Sequence, residues 1–351
     1  MIKQLNPLRF ILILMIFLHH LNLFPGGGAV GVASFFVLGG FCMTVGYKDI
    51  ILSSSHNRFE YLTYLKKRFI KFIPLHWICL LVVLFPLLLN GERINMHILV
   101  SNVALLQSWI PIQDYYFSYN ALSWYLSNTL FLSIIFPLII ILIGSQSRKT
   151  MNVLFALCLG IYIVLVAAIP QSLRHALLYI NPLCRTFDFI IGIFLAFLVT
   201  KNKESHSFFH EKHKWIPDAA FVLSLLALVV VSSIIDEEYL PIAGIFWPLI
   251  AVMIVSLSLM QDSFLSKVFT SRFAQTLSQC TFSFYMIHTI CRDYITRLMP
   301  STTFMVRVTT IFIVTYIISQ VVFFCIEKKT TKYLQLWLIK PAKKQPSTIA
   351  N

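Results

Sequence analysis

The chain has 351 residues, 58% of them hydrophobic and 12% charged, with a mean hydropathy of +0.79. That balance excludes an ordinary soluble domain, and the missing alternation of apolar and polar positions excludes a transmembrane β-barrel. The formal net charge of +14 reads as the Lys/Arg excess of membrane loops, not as a nucleic-acid footprint, and the seven cysteines, without a CxxC, form neither a disulfide framework nor a metal site.

A hydrocarbon core takes about 20 apolar residues per helical span. Runs of this kind are predicted at 8–24, 30–47, 70–90, 121–144, 152–169, 182–200, 215–235, 241–260, 278–298 and 303–325. The fold class is therefore all-α, a polytopic membrane bundle of about ten transmembrane helices. A cleaved signal peptide is not expected, because the first apolar run is long and contains two histidines. The segment 97–112, "HILVSNVALLQSWIPI", is interrupted by Ser101, Asn102, Gln107 and Pro111. It is either a full span or a short half-helix packed against protein. Charge favours the half-helix. With both termini cytoplasmic, most Lys and Arg then fall inside, and only Arg93, Arg174, Arg185, Arg292, Arg297 and Arg307 lie at or near the outer side. Residues 1–330 read as one membrane domain and 331–351 as a basic cytoplasmic tail, which is expected to fray or lie on anionic lipid.

The first span, "LRFILILMIFLHHLNLF", carries Arg9, His19 and His20. At 100° per residue Arg9 and His20 fall about 20° apart, on one stripe, with a rise of about 16 Å between them, while His19 points elsewhere. Ionisable groups in spans are rare and face cavities or partners. His20 is either an interfacial histidine bonded to a carbonyl or a general base. In the second span Gly31, Gly39 and Gly40 permit close helix approach or an unwound turn.

At the entry to the third span, "YLKKRFIKFIPLHW", Lys67, Arg68 and Lys71 are either snorkelling, positive-inside residues or a site for a nucleotide diphosphate. His76 and Trp77 read as core. Trp124 and Tyr125 are an interfacial anchor or a stacking surface for a sugar. Arg185 and Asp188, three apart, form a local pair or contact substrate. His288 reads as a packed, hydrogen-bonded histidine. His206, His210 and His213 read as part of a solvated loop, not as a metal site.

Arg9 and His20, "GVASFFVLGGF", "KKRFIKFIPLHW", "ALSWYLSNTLFLSIIFPL", "NPLCRTFDFIIGIFLAFL", "FSFYMIHT" and Glu327 with two following lysines succeed one another along nearly the whole chain. In that order they resemble the motifs of the acyltransferase type 3 family of membrane acyltransferases. The resemblance implies a bundle in a bacterial cytoplasmic membrane that uses acyl-CoA, commonly acetyl-CoA, as donor and no metal. The implied acceptor is a hydroxyl of a saccharide or lipid-linked glycan at the outer side. It also implies that Arg9 and His20 are the essential pair, with His20 as base or acyl relay, and that Arg68 and Lys71 meet the CoA. Arg185 matches an arginine that opens a later span. Three positions depart from the family pattern. Lys71 stands in place of an arginine, Gly39-Gly40-Phe41 in place of Ser-Gly-Phe, and Thr129 in place of a glutamate found in many members. A glycolipid transporter or flippase, which would also use intramembrane Arg and His, is the competing expectation, and a receptor or scaffold without chemistry is a third.

Overall fold

The computed structural model describes residues 2–53, 58–201 and 213–339. Every predicted span is occupied by a helix: α1 (Leu5–His20), α2 (Gly27–Ser53), α3 (Arg58–Leu89), α6 (Ser123–Ile143), α7 (Arg148–Ala168), α9 (Pro182–Lys201), α10 (Trp215–Ile234), α11 (Trp247–Leu259), α14 (Thr281–Leu298) and α15 (Phe304–Val322). Short helices fill the connections: α4 (Met96–Val103), α5 (Gln113–Tyr116), α8 (Gln171–Arg174), α12 (Phe264–Thr270), α13 (Arg272–Ser278) and, beyond α15, α16 (Lys328–Leu338). Among the described residues seven helices are long and apolar enough to cross a bilayer. An eighth follows if α11 and α12, bent by 86°, count as one broken span. α1 has only 16 residues, and α14 carries Arg292, Asp293 and Arg297. The chain is a polytopic helical membrane bundle.

The segment 97–112 does not cross. α4 ends at Val103, and the polar residues that interrupt the hydrophobic run are spent inside the bundle. Asn102 Nδ2 donates to Ser118 Oγ at 2.7 Å, Gln107 Nε2 to Ser123 Oγ at 2.9 Å, and His76 Nε2 lies 2.9 Å from the Asn102 carbonyl. Buried polar groups in a membrane need such partners because no water is there to supply them. His76 is core as read, but Trp77 is not. Its ring is 47% exposed, and its indole N–H donates to the Val103 carbonyl, tying α3 to α4 from outside.

α2 and α9 form the most extensive helix pair, and glycine is the reason. A Cβ on Gly40 would collide with the Phe189 carbonyl, and one on Gly192 with the Val37 carbonyl. The two backbones touch where neither carries a side chain. α2 is thus a continuous helix, its glycines used for approach and not for unwinding. α7 differs: of its residues only Met151 and Tyr162 are buried.

The C-terminal segment also differs from expectation. The chain runs through a π-helical turn, Phe323–Glu327, into α16, which packs on α3 with Lys66 Nζ donating to the Leu338 carbonyl at 3.0 Å. Residues 328–338 are therefore helix and not a frayed tail, while 340–351 lie outside the described residues, as do His206 and His210.

Candidate active site

α1 ends abruptly, and that end shapes the site. Asn22 adopts a left-handed conformation (φ 57°), its N–H bonds the His19 carbonyl at 3.0 Å, and the Leu23 N–H bonds the Leu18 carbonyl at 2.9 Å. This is a Schellman closure, which asparagine tolerates better than a branched residue. His20 is therefore the last helical residue. Its own carbonyl accepts from Arg292 Nη1 at 3.1 Å, which places a cation at the negative end of the helix.

Both histidines line a cavity of about 430 Å³. His19 does not point elsewhere: the two rings lie 5.2 Å apart, because the final turn opens onto the cavity across a wide arc. They differ in what holds them. His19 Nδ1–H donates to the Pro25 carbonyl at 2.5 Å, and its ring rests where any side chain on Gly28 would sit. His20 Nδ1 lies 3.0 Å from His288 Nε2. His288 is buried on α14 among Phe17, Phe284 and Tyr285, with Nδ1 at 2.8 Å from the Tyr285 carbonyl and 3.2 Å from that of Phe284. Sequence spacing could not pair residues from opposite ends of the chain. The available signal was a second imidazole deep in another apolar span.

Facing them, the cavity wall is aromatic. Trp124, at the start of α6, is only 4% exposed, so it is part of the cavity wall and not a lipid-interface anchor; its ring sits 5.1 Å from Tyr179. Tyr179 belongs to a π-helical turn, His175–Ile180, and stacks on His175 at 5.3 Å. In this connection between spans, burial and then the Arg185 guanidinium push the His175 imidazole below its ordinary pKa. Glu237, from the loop after α10, also lines the cavity.

Arg185 and Asp188 stand behind this wall and do not line the cavity. They form a buried ion pair at 2.7 Å, each 1% exposed. Arg185 Nε donates to the Tyr179 carbonyl at 2.7 Å, and Trp247 Nε1 donates to Asp188. Together with Asn128, whose amide donates to the Ile180 carbonyl, Arg185 satisfies carbonyls that the π-turn leaves free. The pair therefore holds the aromatic wall from behind.

At the opposite end of α1 lies a cluster of cations. Arg9 Nη1 donates to Asn6 Oδ1 at 2.9 Å and Nη2 to Cys42 Sγ at 3.3 Å. Arg9, Arg68 and Glu327 are the charged neighbours of Lys71. The Arg68 guanidinium lies over Tyr47 (5.0 Å) and Tyr64 (5.5 Å), and its Nε is buried without a partner. Glu327, turned inward by the second π-turn, accepts from Ser283 at 2.8 Å. Lys67 is exposed on the outer surface of α3, away from this group. Tyr125 stands between the two ends. Arg9 is its charged neighbour, and its ring lies 4.8 Å from Phe36 and 5.2 Å from Tyr285, which lines the cavity. Thr129 Oγ1 donates to the Tyr125 carbonyl.

The architecture is that of a membrane-embedded helical bundle with an imidazole-bearing cavity at one end and a basic cluster at the other. Residues 2–324 match the family model described as acyltransferase domain. The chain belongs to the acyltransferase type 3 family, and is a membrane-bound acyltransferase. No curated protein and no solved structure matches it.

Proposed function

We propose that the protein moves an acyl group, acetyl first among the small acyl groups, from cytoplasmic acyl-CoA to a hydroxyl of a cell-surface saccharide or lipid-linked glycan. One observation carries this reading: α1 joins a cluster of cations at Arg9 to a half-buried imidazole at His20, about 16 Å further along the helix axis. In this reading the basic end faces the cytoplasm, which the excess of Lys and Arg in the loops supports, and the cavity faces outward.

In this reading Arg68, Lys71 and Arg9 hold the CoA phosphates, with Lys67 adding charge at the entrance. The chemistry of the donor set suits a polyanion. Lys71 lies near two further cations, Arg9 and Arg68, and has Glu327 as its acidic neighbour among the described residues, and Arg68 keeps an unsatisfied N–H. The long, thin thioester arm then runs past Tyr125 toward His20. The acceptor sugar lies against Trp124 and Tyr179, with Arg185 and Asp188 fixing that wall. His20 takes the proton of the acceptor hydroxyl as its oxygen attacks the thioester carbonyl. The carbon–sulfur bond breaks, an ester forms, and the imidazolium returns the proton to the departing thiolate as free CoA. Proton transfer of this kind is worth about 10² to 10⁴ in rate.

Membranes containing the protein, given acetyl-CoA labelled in the acetyl group, are expected to release free CoA and to transfer label to an envelope glycan. A transporter or flippase would leave the thioester intact, and that result would overturn the proposal.

A further inference from the structure

His288 is more than packing. Its Nδ1 faces two backbone carbonyls of α14, those of Tyr285 and Phe284. A carbonyl oxygen only accepts, so Nδ1 carries the proton. In the neutral ring Nε2 then holds the lone pair. That lone pair meets Nδ1 of His20 at 3.0 Å, and one of the two nitrogens in such a contact has to donate. The donor is therefore His20 Nδ1–H.

We infer that the α14 backbone, acting through His288, fixes His20 as the tautomer with its proton on Nδ1 and its lone pair on Nε2. His288 is a positioning residue for the base, and the inference rests on reading His20 as that base. The remaining contacts are consistent. The rings of Phe17, Phe284 and Tyr285 surround the His288 imidazole and oppose its rotation. Arg292 holds the His20 backbone through its carbonyl, and the Ile16 carbonyl one turn back also faces the His20 ring. When Nε2 accepts the hydroxyl proton, His20 becomes an imidazolium and keeps donating Nδ1–H to His288. That bond is then charge-assisted and stronger, which offsets part of the cost that burial and the neighbouring Arg292 guanidinium place on the imidazolium. A carboxylate serves this purpose in hydrolase triads. Here a second imidazole, itself aligned by main-chain carbonyls, serves in its place.

Two measurements test this on the full-length protein. Nitrogen-15 spectra of histidine-labelled protein in bilayers distinguish the two neutral tautomers, and the resonances lost in His20→Ala identify His20. The expected spectrum has the His20 proton on Nδ1; a proton on Nε2 overturns the inference. In the second, acyl-CoA turnover is compared between His288→Leu, which fills the space without an acceptor, and His288→Gln, whose side-chain oxygen accepts near the position of Nε2. His288→Leu is expected to lower kcat by about 10- to 100-fold with KM for the donor unchanged, and His288→Gln to recover most of it. Wild-type turnover by the leucine variant, or equal loss in both variants while each stays folded, also overturns it. Should the wild-type protein consume no acyl-CoA, the proposed function fails, yet the nitrogen spectrum still decides the tautomer.

Discussion

The two ends of α1 solve opposite problems. Around His20 the framework is tied down: the helix is closed by Asn22, its last carbonyl is bound by Arg292, and the ring rests on His288. Around Arg9 charge of one sign gathers: Arg9 and Arg68 are both neighbours of Lys71, Glu327 is the acidic neighbour of Lys71 among the described residues, and the Arg68 Nε is buried without a partner. A satisfied, rigid site suits bond-making, where geometry within a fraction of an ångström matters. An unsatisfied, like-charged site suits capture of an anion, because the ligand relieves repulsion already present in the protein.

The contrast is broken most directly by His20→Ala. Turnover is expected to fall by about 10² to 10⁴, with KM for acyl-CoA unchanged and the protein still in the membrane, as measured by coupled release of CoA. Loss of donor affinity instead would show that the two ends are not separable. Next in size, Arg68→Gln is expected to raise KM for acyl-CoA by about 10- to 100-fold, the value of a charge-assisted hydrogen bond, with kcat changed less. Adding salt should mimic the effect at the basic end and leave the cavity end unaffected. Lys71→Arg, which restores a planar fork, is expected to lower KM by only a few-fold, about 1 kcal/mol or less. Smallest of all, Thr129→Val should leave turnover within about twofold. Its hydroxyl bonds its own helix carbonyl, which has its partner N–H in any case, and its remaining contact is with the Tyr125 side chain one turn back.

Helix positions were legible in the sequence because hydropathy in a bilayer acts residue by residue. The end of α1 was not. Leu23 and Phe24 continue the apolar run, while the chain has already turned at Asn22. The half-helix before α6 stayed ambiguous for a related reason: Asn102 and Gln107 look like interruptions until Ser118 and Ser123 are seen beside them. Of the expected site residues, Arg9, Arg68 and Lys71 come together, as do His20 and Trp124. Arg185 and Asp188 sit behind the cavity. The His20–His288 contact was out of reach, since no periodicity relates positions on helices so far apart in the chain. Of the tail expected at 331–351, the part up to Leu338 is helical, and its basic composition hid an amphipathic helix with Leu336 and Trp337 on it.

The shortness of α1 has a consequence for the surrounding lipid. Sixteen residues reach about 24 Å, less than the roughly 30 Å of a hydrocarbon core. The helix is surrounded by its neighbours, so it need not match that thickness. The distance between the basic cluster and the cavity is therefore set by protein, and under the proposed function a cell that changes the length of its lipid tails would leave the journey of the acyl group the same.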